Sequence, residues 1–290
     1  MTKLLRLLLF WLALMGLIVY SCIHALPDGR LHVYVLDVGQ GDSILVRSPD
    51  DEFILIDGGP NDEVIRQISR VMPFYKRKID VVILTHPHAD HINGLIDVLK
   101  RYEVGIVMMT GVSYHSAHYD AFLEQIGSKK IPIIFAGKSD RDYRLGKVIL
   151  DMVFPFYSLQ GKTLENLNNS SIVFRLLFGK NIFYFNGDAE AEEEQEILQE
   201  SQKLGLDLHA DFLKIGHHGS RTSSSSELLA KINPSFAAIS CGIDNSFHHP
   251  HAITLEHLRK RGVTVYRTDV DGLIEALTDG RKMDMKIWGK

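Results

Sequence analysis

The stretch Val81-Val82-Ile83-Leu84-Thr85-His86-Pro87-His88-Ala89-Asp90-His91 decides the reading of this chain. Its first half is a β-branched apolar run of the kind that forms a buried strand. The run stops at Thr85, and His86, His88, Asp90 and His91 follow at once. His86 and His88 stand two apart, so a turning backbone aims both imidazoles at one cation. Asp90 and His91 come next and reach a second cation beside it. Imidazole together with carboxylate suits zinc, and also manganese or iron. A solvated histidine-rich tract explains neither the strand before the histidines nor the aspartate among them.

The chain of 290 residues is 45% hydrophobic and 23% charged, the balance of a globular protein with enough length for a sizeable core. A net charge of −4 is not that of a stable nucleic-acid-binding module. It leaves open an enzyme that touches such a substrate briefly, and no stable nucleic-acid complex is expected. Cys22 and Cys241 lie far apart, so neither a disulfide framework nor a cysteine-based zinc site is expected. No histidine occurs between His118 and His209.

Lys3 and Arg6 precede an uncharged apolar run from Leu7 to Ile23. Residues 1–27 read as a membrane anchor or signal segment, with the anchor preferred because Ile23 fits a cleavage site poorly. Val19-Tyr20-Ser21-Cys22 loosely resembles a lipoprotein processing site. Lys3 and Arg6 keep the N-terminus cytoplasmic and place the rest, periplasmic or extracellular, outside. Secretion after cleavage and lipoprotein processing are the alternatives.

Residues 28–290 read as one domain. Strands are expected over 31–37, 43–47 and 53–57, the first two joined by Gly39-Gln40-Gly41. A helix over 61–72 follows, then strand 79–84, helix 93–102, strand 104–109 and helix 117–126. Strands 131–135 and 147–154 come next, then a polar loop over 156–169 of a length that often borders a site. A hairpin over 171–186, an acidic helix over 189–202 and a strand over 211–215 ending in His217-His218 continue the pattern. The end reads as helix, strand, helix and a hairpin of 263–267 with 273–277. The glutamates of the acidic helix (Glu190, Glu192 to Glu194, Glu196) read as a solvated face. Strands and helices alternate in two similar halves. The expected class is α/β (α+β), a four-layer αββα sandwich of two mixed sheets with outer helices. Asp188 and His217-His218 stand at strand ends, as His86 to His91 do.

Taken together, His86-x-His88-x-Asp90-His91, Asn186-Gly187-Asp188 and the later strand-end histidine resemble the metallo-β-lactamase superfamily. Asp37-Val-Gly-Gln-Gly-Asp42-Ser43, Leu55-Ile-Asp57-Gly-Gly, Asn169-Ser170-Ser171, Lys214-Ile-Gly-His217-His218-Gly-Ser220 and His249-Pro250-His251 narrow it. They are similar to the hydrolase domain of ComEC-type DNA-uptake (competence) proteins, over about Leu31 to Leu277. Asn186 stands where that family commonly has threonine, and His248 where it has glycine. The multi-span channel of those proteins is not in this sequence, which has one apolar span.

The resemblance implies two divalent metal ions, zinc ahead of manganese. His86 and His88 hold one, Asp90 and His91 the other, and Asp188 bridges them. The strand-end ligand is His217 or His218. Alternation along Leu213-Ile215-His217 slightly favours His217 and leaves His218 for the substrate. Lactamase-like members add a mid-domain histidine, and here Asn169 or Ser170 occupies that region; His115 and His118 read as surface residues. Asp57 reads as orienting the histidines from behind, and Asp42 as a rim or turn residue. The expected activity is a binuclear metal-dependent hydrolase, a phosphodiesterase or nuclease acting on DNA or a related phosphodiester. In it, water activated between the metals attacks. Asp90 orients that water, and His249 or His218 gives a proton to the leaving oxygen. A small phosphoester of the cell-wall phosphocholine type, a β-lactam, and a non-catalytic anchored binding module are the alternatives.

Overall fold

The computed structural model describes residues 2–137 and 142–289. The side chains of residues 21–25, Cys22 among them, lie outside those described. Helix α1 (Lys3–Ala25) leads into strands β1 (Leu31–Val35), β2 (Ile44–Arg47) and β3 (Phe53–Ile56). Helix α2 (Glu63–Val71), β4 (Lys78–Ile83), α3 (Ala89–Arg101), β5 (Glu103–Met109), α4 (Ala117–Lys129) and β6 (Ile133–Phe135) complete the first half. The second half opens on β7 (Asp142–Leu145), β8 (Val148–Phe154), β9 (Val173–Phe178) and β10 (Asn181–Phe185). It continues through α5 (Ala191–Leu204), β11 (Phe212–Lys214), α6 (Ser226–Ile232), β12 (Phe236–Ile239), α7 (Ala252–Lys260) and β13 (Thr264–Arg267). Helix α8 (Thr268–Asp271), β14 (Leu273–Thr278) and β15 (Met283–Gly289) end it.

The strands form an eight-stranded sheet, β15-β14-β1-β2-β3-β4-β5-β6, and a seven-stranded sheet, β13-β12-β11-β10-β9-β8-β7. Three apolar clusters show the layers. Val33, Ile54 and Val81 of the first sheet meet Phe174, Phe183 and Phe212 of the second. On the first sheet's outer face Leu55 and Val82 pack against Ile68 of α2, Leu95 of α3 and Phe122 of α4. On the second, Leu213 and Ile239 pack against Ile197 of α5, Leu229 of α6 and Leu258 of α7. The period of two along each strand places Ile54 and Leu55 in different layers. The αββα sandwich expected from the sequence is the fold.

One pairing differs from expectation. Residues 263–267 and 273–277 do not form a hairpin: β13 lies parallel to β12, whereas β14 lies between β15 and β1 in the other sheet. The turn of α8 and Gly272, at φ 71°, redirect the chain from one sheet to the other. Helix α3 also starts earlier than its apolar period shows. It begins at Ala89, so Asp90 sits in its first turn, where a carboxylate suits the helix dipole.

The glutamates before and along α5 are only in part a solvated face: Glu192 is exposed and Glu190 and Glu196 are half-buried. Glu193 and Glu194 are buried. Glu194 accepts from the backbone N–H groups of Ser224 and Ser225. Among the described residues neither Glu193 oxygen accepts a well-formed hydrogen bond, and the buried Tyr184 hydroxyl has no partner either. Burial first, and then the charges of Glu194 and Glu196, raise the Glu193 pKa well above its ordinary 4.5. The folded state therefore holds this proton more tightly than the unfolded chain. Stability is greatest below pH 4.5 for this group and falls as pH rises towards the folded pKa. Glu193→Gln is expected to raise Tm at pH 8, by an increment worth about 1–3 kcal/mol, and to change it little at pH 4. Thermal unfolding at the two pH values checks this.

Candidate metal centre

The site lies where the C-terminal ends of β4 and β10 and the turn after β11 converge. The loop from Gly39 to Asp42 joins them. Gly41 is at φ 143°, and a side chain there would run into the Asp90 carbonyl. The Asp42 N–H donates to that same carbonyl at 3.2 Å. Gly94 of α3 abuts the Gly58 carbonyl after β3 so closely that a Cβ has no room. Two glycines thus let two loops grip the start of α3 and fix Asp90 and His91.

Asp90, His91, Asp188 and His218 each present a ligand atom within 4.8 Å of the others. His91 Nδ1 donates to Asp57 Oδ2 at 2.8 Å, which fixes the tautomer and turns Nε2 inward. Nε2 lies 3.3 Å from Asp188 Oδ2 without hydrogen-bond alignment, and Asp188 Oδ1 has no partner among the described residues. His218 Nε2 lies 3.2 Å from Asp90 Oδ2 and 3.5 Å from Asp188 Oδ2. His86 is buried, with Nε2 3.1 Å from His88 Nδ1 and 3.9 Å from Asp188 Oδ2. Asp188 thus faces both the His86–His88 pair and the group of Asp90, His91 and His218.

These residues fit divalent metals. Buried, inward-facing atoms without hydrogen-bond partners are rare unless something binds them. The electrostatics agree. Burial alone would lower the His218 pKa, but the charges of Asp188 and Asp42 hold it up at about 10. His91 is held well above its ordinary value against burial by Asp188, Asp57 and Asp90. His86 goes the other way: burial, and then the charge of His91, push it well below 6.5. One region of the cluster therefore attracts cations, and beside it stands an imidazole kept neutral for ligation. The His/Asp clusters are consistent with a binuclear metal site. A second acidic grouping, Asp42, Asp57 and His91, lies behind it. There Asp57 already accepts from Thr85 N at 2.8 Å, Thr85 Oγ1 at 2.7 Å and His91, which makes it a supporting layer.

The two strand-end histidines exchange the places expected of them. His218 is buried and joins the cluster. His217 is partly exposed, with Nε2 4.0 Å from Asp188 and Nδ1 2.9 Å from Glu190 Oε1. Strand alternation misleads here because β11 stops at Lys214. Residues 216–219 form a 3₁₀ turn with His217 at φ 47° and His218 at φ 53°. Left-handed backbone at two non-glycine residues is uncommon and strained, and it re-aims both rings. His249 stands on the outer side, its ring centroid 5.5 Å from that of His217 and 6.1 Å from that of His218. Burial, and then the charges of His218 and His217, lower the His249 pKa to about 4. His248, in the glycine position of the resemblance, is itself at φ 58°.

The mid-domain loop contributes differently from expectation. Asn169 turns to Glu192 and Ser170 donates to Leu167 O within its own turn. Asn168 Nδ2 donates to Glu190 Oε1, and it is Ser171 Oγ that lies 3.5 Å from His86 Nδ1 and accepts from Asp188 N. His115 and His118 are exposed. Glu190 ties the rim together, accepting from Asn166, Asn168 and Thr222 as well as facing His217.

Asp42, read as a rim or turn residue, is buried, and so is Lys214. Lys214 Nζ donates to Asp42 Oδ2 at 2.7 Å and to Ile215 O at 2.9 Å. Asp42 Oδ1 lies 3.3 Å from His218 Nδ1, which donates to Ser240 O at 3.1 Å. Burial by itself would raise the Asp42 pKa, but Lys214 and His218 draw it down to about 2. The alternation of Phe212, Leu213 and Lys214 in a buried strand was the available signal for Lys214.

The chain is similar to known proteins over most of its length. The chain is 30% identical over 278 residues to ComE operon protein 3 of Bacillus subtilis (strain 168), a match covering 89% of this chain and 34% of that protein. It is 27% identical over 255 residues to Competence protein ComA of Neisseria gonorrhoeae, covering 87% of this chain and 33% of that one. The chain spans about a third of the length of these relatives. Among solved structures, the diiron β-hydroxylase CmlA from Streptomyces venezuelae superposes with a TM-score of 0.54 at 15% identity, over 87% of this chain and 54% of CmlA. The model of the Metallo-beta-lactamase superfamily matches residues 36–243. That span takes in strands of both sheets and every residue of the cluster from Asp42 to His218, so the chain belongs to the metallo-beta-lactamase superfamily.

Proposed function

We propose that the protein is a binuclear metal-dependent phosphodiesterase that cleaves DNA or a related phosphodiester outside the membrane, with α1 as its anchor. The observation that carries this reading is the charge at the centre. Asp90 and Asp188 direct carboxylates into it, while Asp42 is neutralised by Lys214 and Asp57 is taken up by Thr85 and His91. Two divalent cations held there keep a net positive charge, which favours an anionic phosphodiester over a neutral lactam. The similarity to competence proteins is in keeping with the resemblance of the sequence motifs to DNA-uptake hydrolase domains.

His86 and His88 would hold one metal, Asp90, His91 and His218 the other, and Asp188 both. Bound metals of this kind polarise a phosphoryl oxygen and bring the pKa of a coordinated water near neutrality. The remaining steps belong to the chain. Asp57 holds the tautomer of His91, and the Ser240 carbonyl holds that of His218, with the Asp42 carboxylate beside it. Asp90, partly exposed, orients the attacking water. His217 and His249 face the open side, where an imidazole N–H stabilises the leaving oxygen by a hydrogen bond. His218, placed among the ligands, is not free for that task.

The full chain loaded with manganese or zinc is expected to cleave DNA or bis-p-nitrophenyl phosphate and to leave nitrocefin intact. Failure to turn over any phosphodiester, with metal verified as bound, would sink the proposal. His218→Ala is expected to lose bound metal. His217→Ala is expected to keep its metal and lose about 10- to 100-fold in kcat. Metal analysis beside kinetics separates the two variants.

A further inference from the structure

The end of the sandwich opposite the metal centre carries a second feature. Only five residues, Leu26 to Arg30, separate the end of α1 from the start of β1. Such a linker spans at most about 17 Å. In α1, the window Lys3–Tyr20 has a mean hydropathy of 1.9 and none of it is buried. The β1-start end of the first sheet therefore lies against whatever bilayer α1 crosses.

The sheet register shows what else lies at that end. His32 pairs with Arg47, Arg47 with Phe53, and Ile54 with Val81, so the first residue of β4, Lys78, stands at the same end as Leu31. The loop before it is Pro73-Phe74-Tyr75-Lys76-Arg77. Phe74 is 72% exposed and Tyr75 46% exposed, and their rings meet edge to face at 5.6 Å. Lys76 fixes the loop to the β2–β3 turn through Asp51, at 2.5 Å. Lys78 is paired with Asp80, and the exposed Arg77 makes no ion pair among the described residues.

Two adjoining exposed aromatics beside the exposed Arg77, with Lys76 and Lys78 held in ion pairs on either side of it, form a surface suited to the headgroup layer, where aromatic rings settle and a basic side chain meets lipid phosphates. Burying a phenylalanine inside the domain would offer the same gain, yet the loop holds Phe74 and Tyr75 outward. We propose that Phe74 and Tyr75, with Lys76, Arg77 and Lys78, seat in the headgroup layer of the bilayer that α1 crosses and make a second contact there. Because β4 runs from Lys78 towards His86, a rise of about 26 Å, this contact directs the metal centre away from the membrane. The proposal rests on the reading of α1 as an anchor and is independent of the substrate.

The test uses the full chain in vesicles of phosphatidylcholine and phosphatidylglycerol that contain headgroup-level nitroxide lipid. The background is Cys22→Ser, since Cys241 is buried. A fluorophore is placed at Phe74→Cys or at Val270→Cys. Val270 is 63% exposed on α8, at the metal end by the register of β12 with β13. Lipid quenching at position 74 is expected to exceed that at position 270 by about fivefold or more. Equal quenching in a chain retained by the vesicles would overturn the proposal and leave the anchor standing. A chain left in the supernatant would overturn both.

Discussion

Asp188→Ala is expected to lower phosphodiester turnover by on the order of 10³-fold and to reduce bound metal below two equivalents per chain. The size follows from position. Asp188 is buried after β10, and its Oδ2 lies 3.3 Å from His91, 3.5 Å from His218 and 3.9 Å from His86. No other carboxylate among the described residues reaches both halves of the cluster. Without it, two dications would face each other with nothing between to offset their repulsion. The fold should survive, because the Asp188 backbone remains held by Ser171 and the neighbouring strands stay buried. Metal analysis and kinetics on one sample check this. A variant that keeps two metals and wild-type turnover would remove the bridging role.

Lys214→Met is expected to act mainly on stability. Both partners of the Lys214–Asp42 pair are nearly inaccessible, at 1% and 2% of their side-chain surface. Methionine matches the lysine stem in volume but leaves Asp42 as a buried carboxylate without its cation. Breaking a buried pair in this way costs about 3–5 kcal/mol. In a domain of this size that corresponds to a Tm lower by about 6–20 °C. The same change releases Asp42 from its fixed position behind His218, so metal affinity should fall by about 10- to 100-fold. Lys214→Met with Asp42→Asn should recover much of the stability, since the uncompensated charge goes with it. A thermal-unfolding double-mutant cycle measures the coupling. A Tm unchanged in the single variant would show that the pair is not where the stability lies.

The contrast between His86 to His91 and these buried partners marks how far the sequence could be read. The histidine motif follows a regular strand, and Asp188 follows a tight turn after another, so local pattern sufficed to place them near one another. The four layers were likewise legible because the apolar period changes between strand and helix. His217 and His218 were not, because strand alternation fails once the backbone turns left-handed after Lys214. Lys214 itself resembles any flanking charge until a partner 172 residues away closes on it. Glu193 and Glu194 share the composition of a solvated acidic helix, and only the packing of α5 on the second sheet buries them. Residues 263–267 and 273–277 are neighbours in sequence with strand-like composition, yet sheet membership depends on β12 and β1, which are distant in sequence.

The most direct test of the metal centre is anomalous diffraction from crystals of the manganese- or zinc-loaded protein. Two peaks roughly 3.5–4 Å apart are predicted, one beside His86 and His88 and the other beside Asp90, His91 and His218, with Asp188 between them and His217 unligated. A single peak, a peak held by His217 instead of His218, or a metal seated on Asp42 and Asp57 would contradict the account.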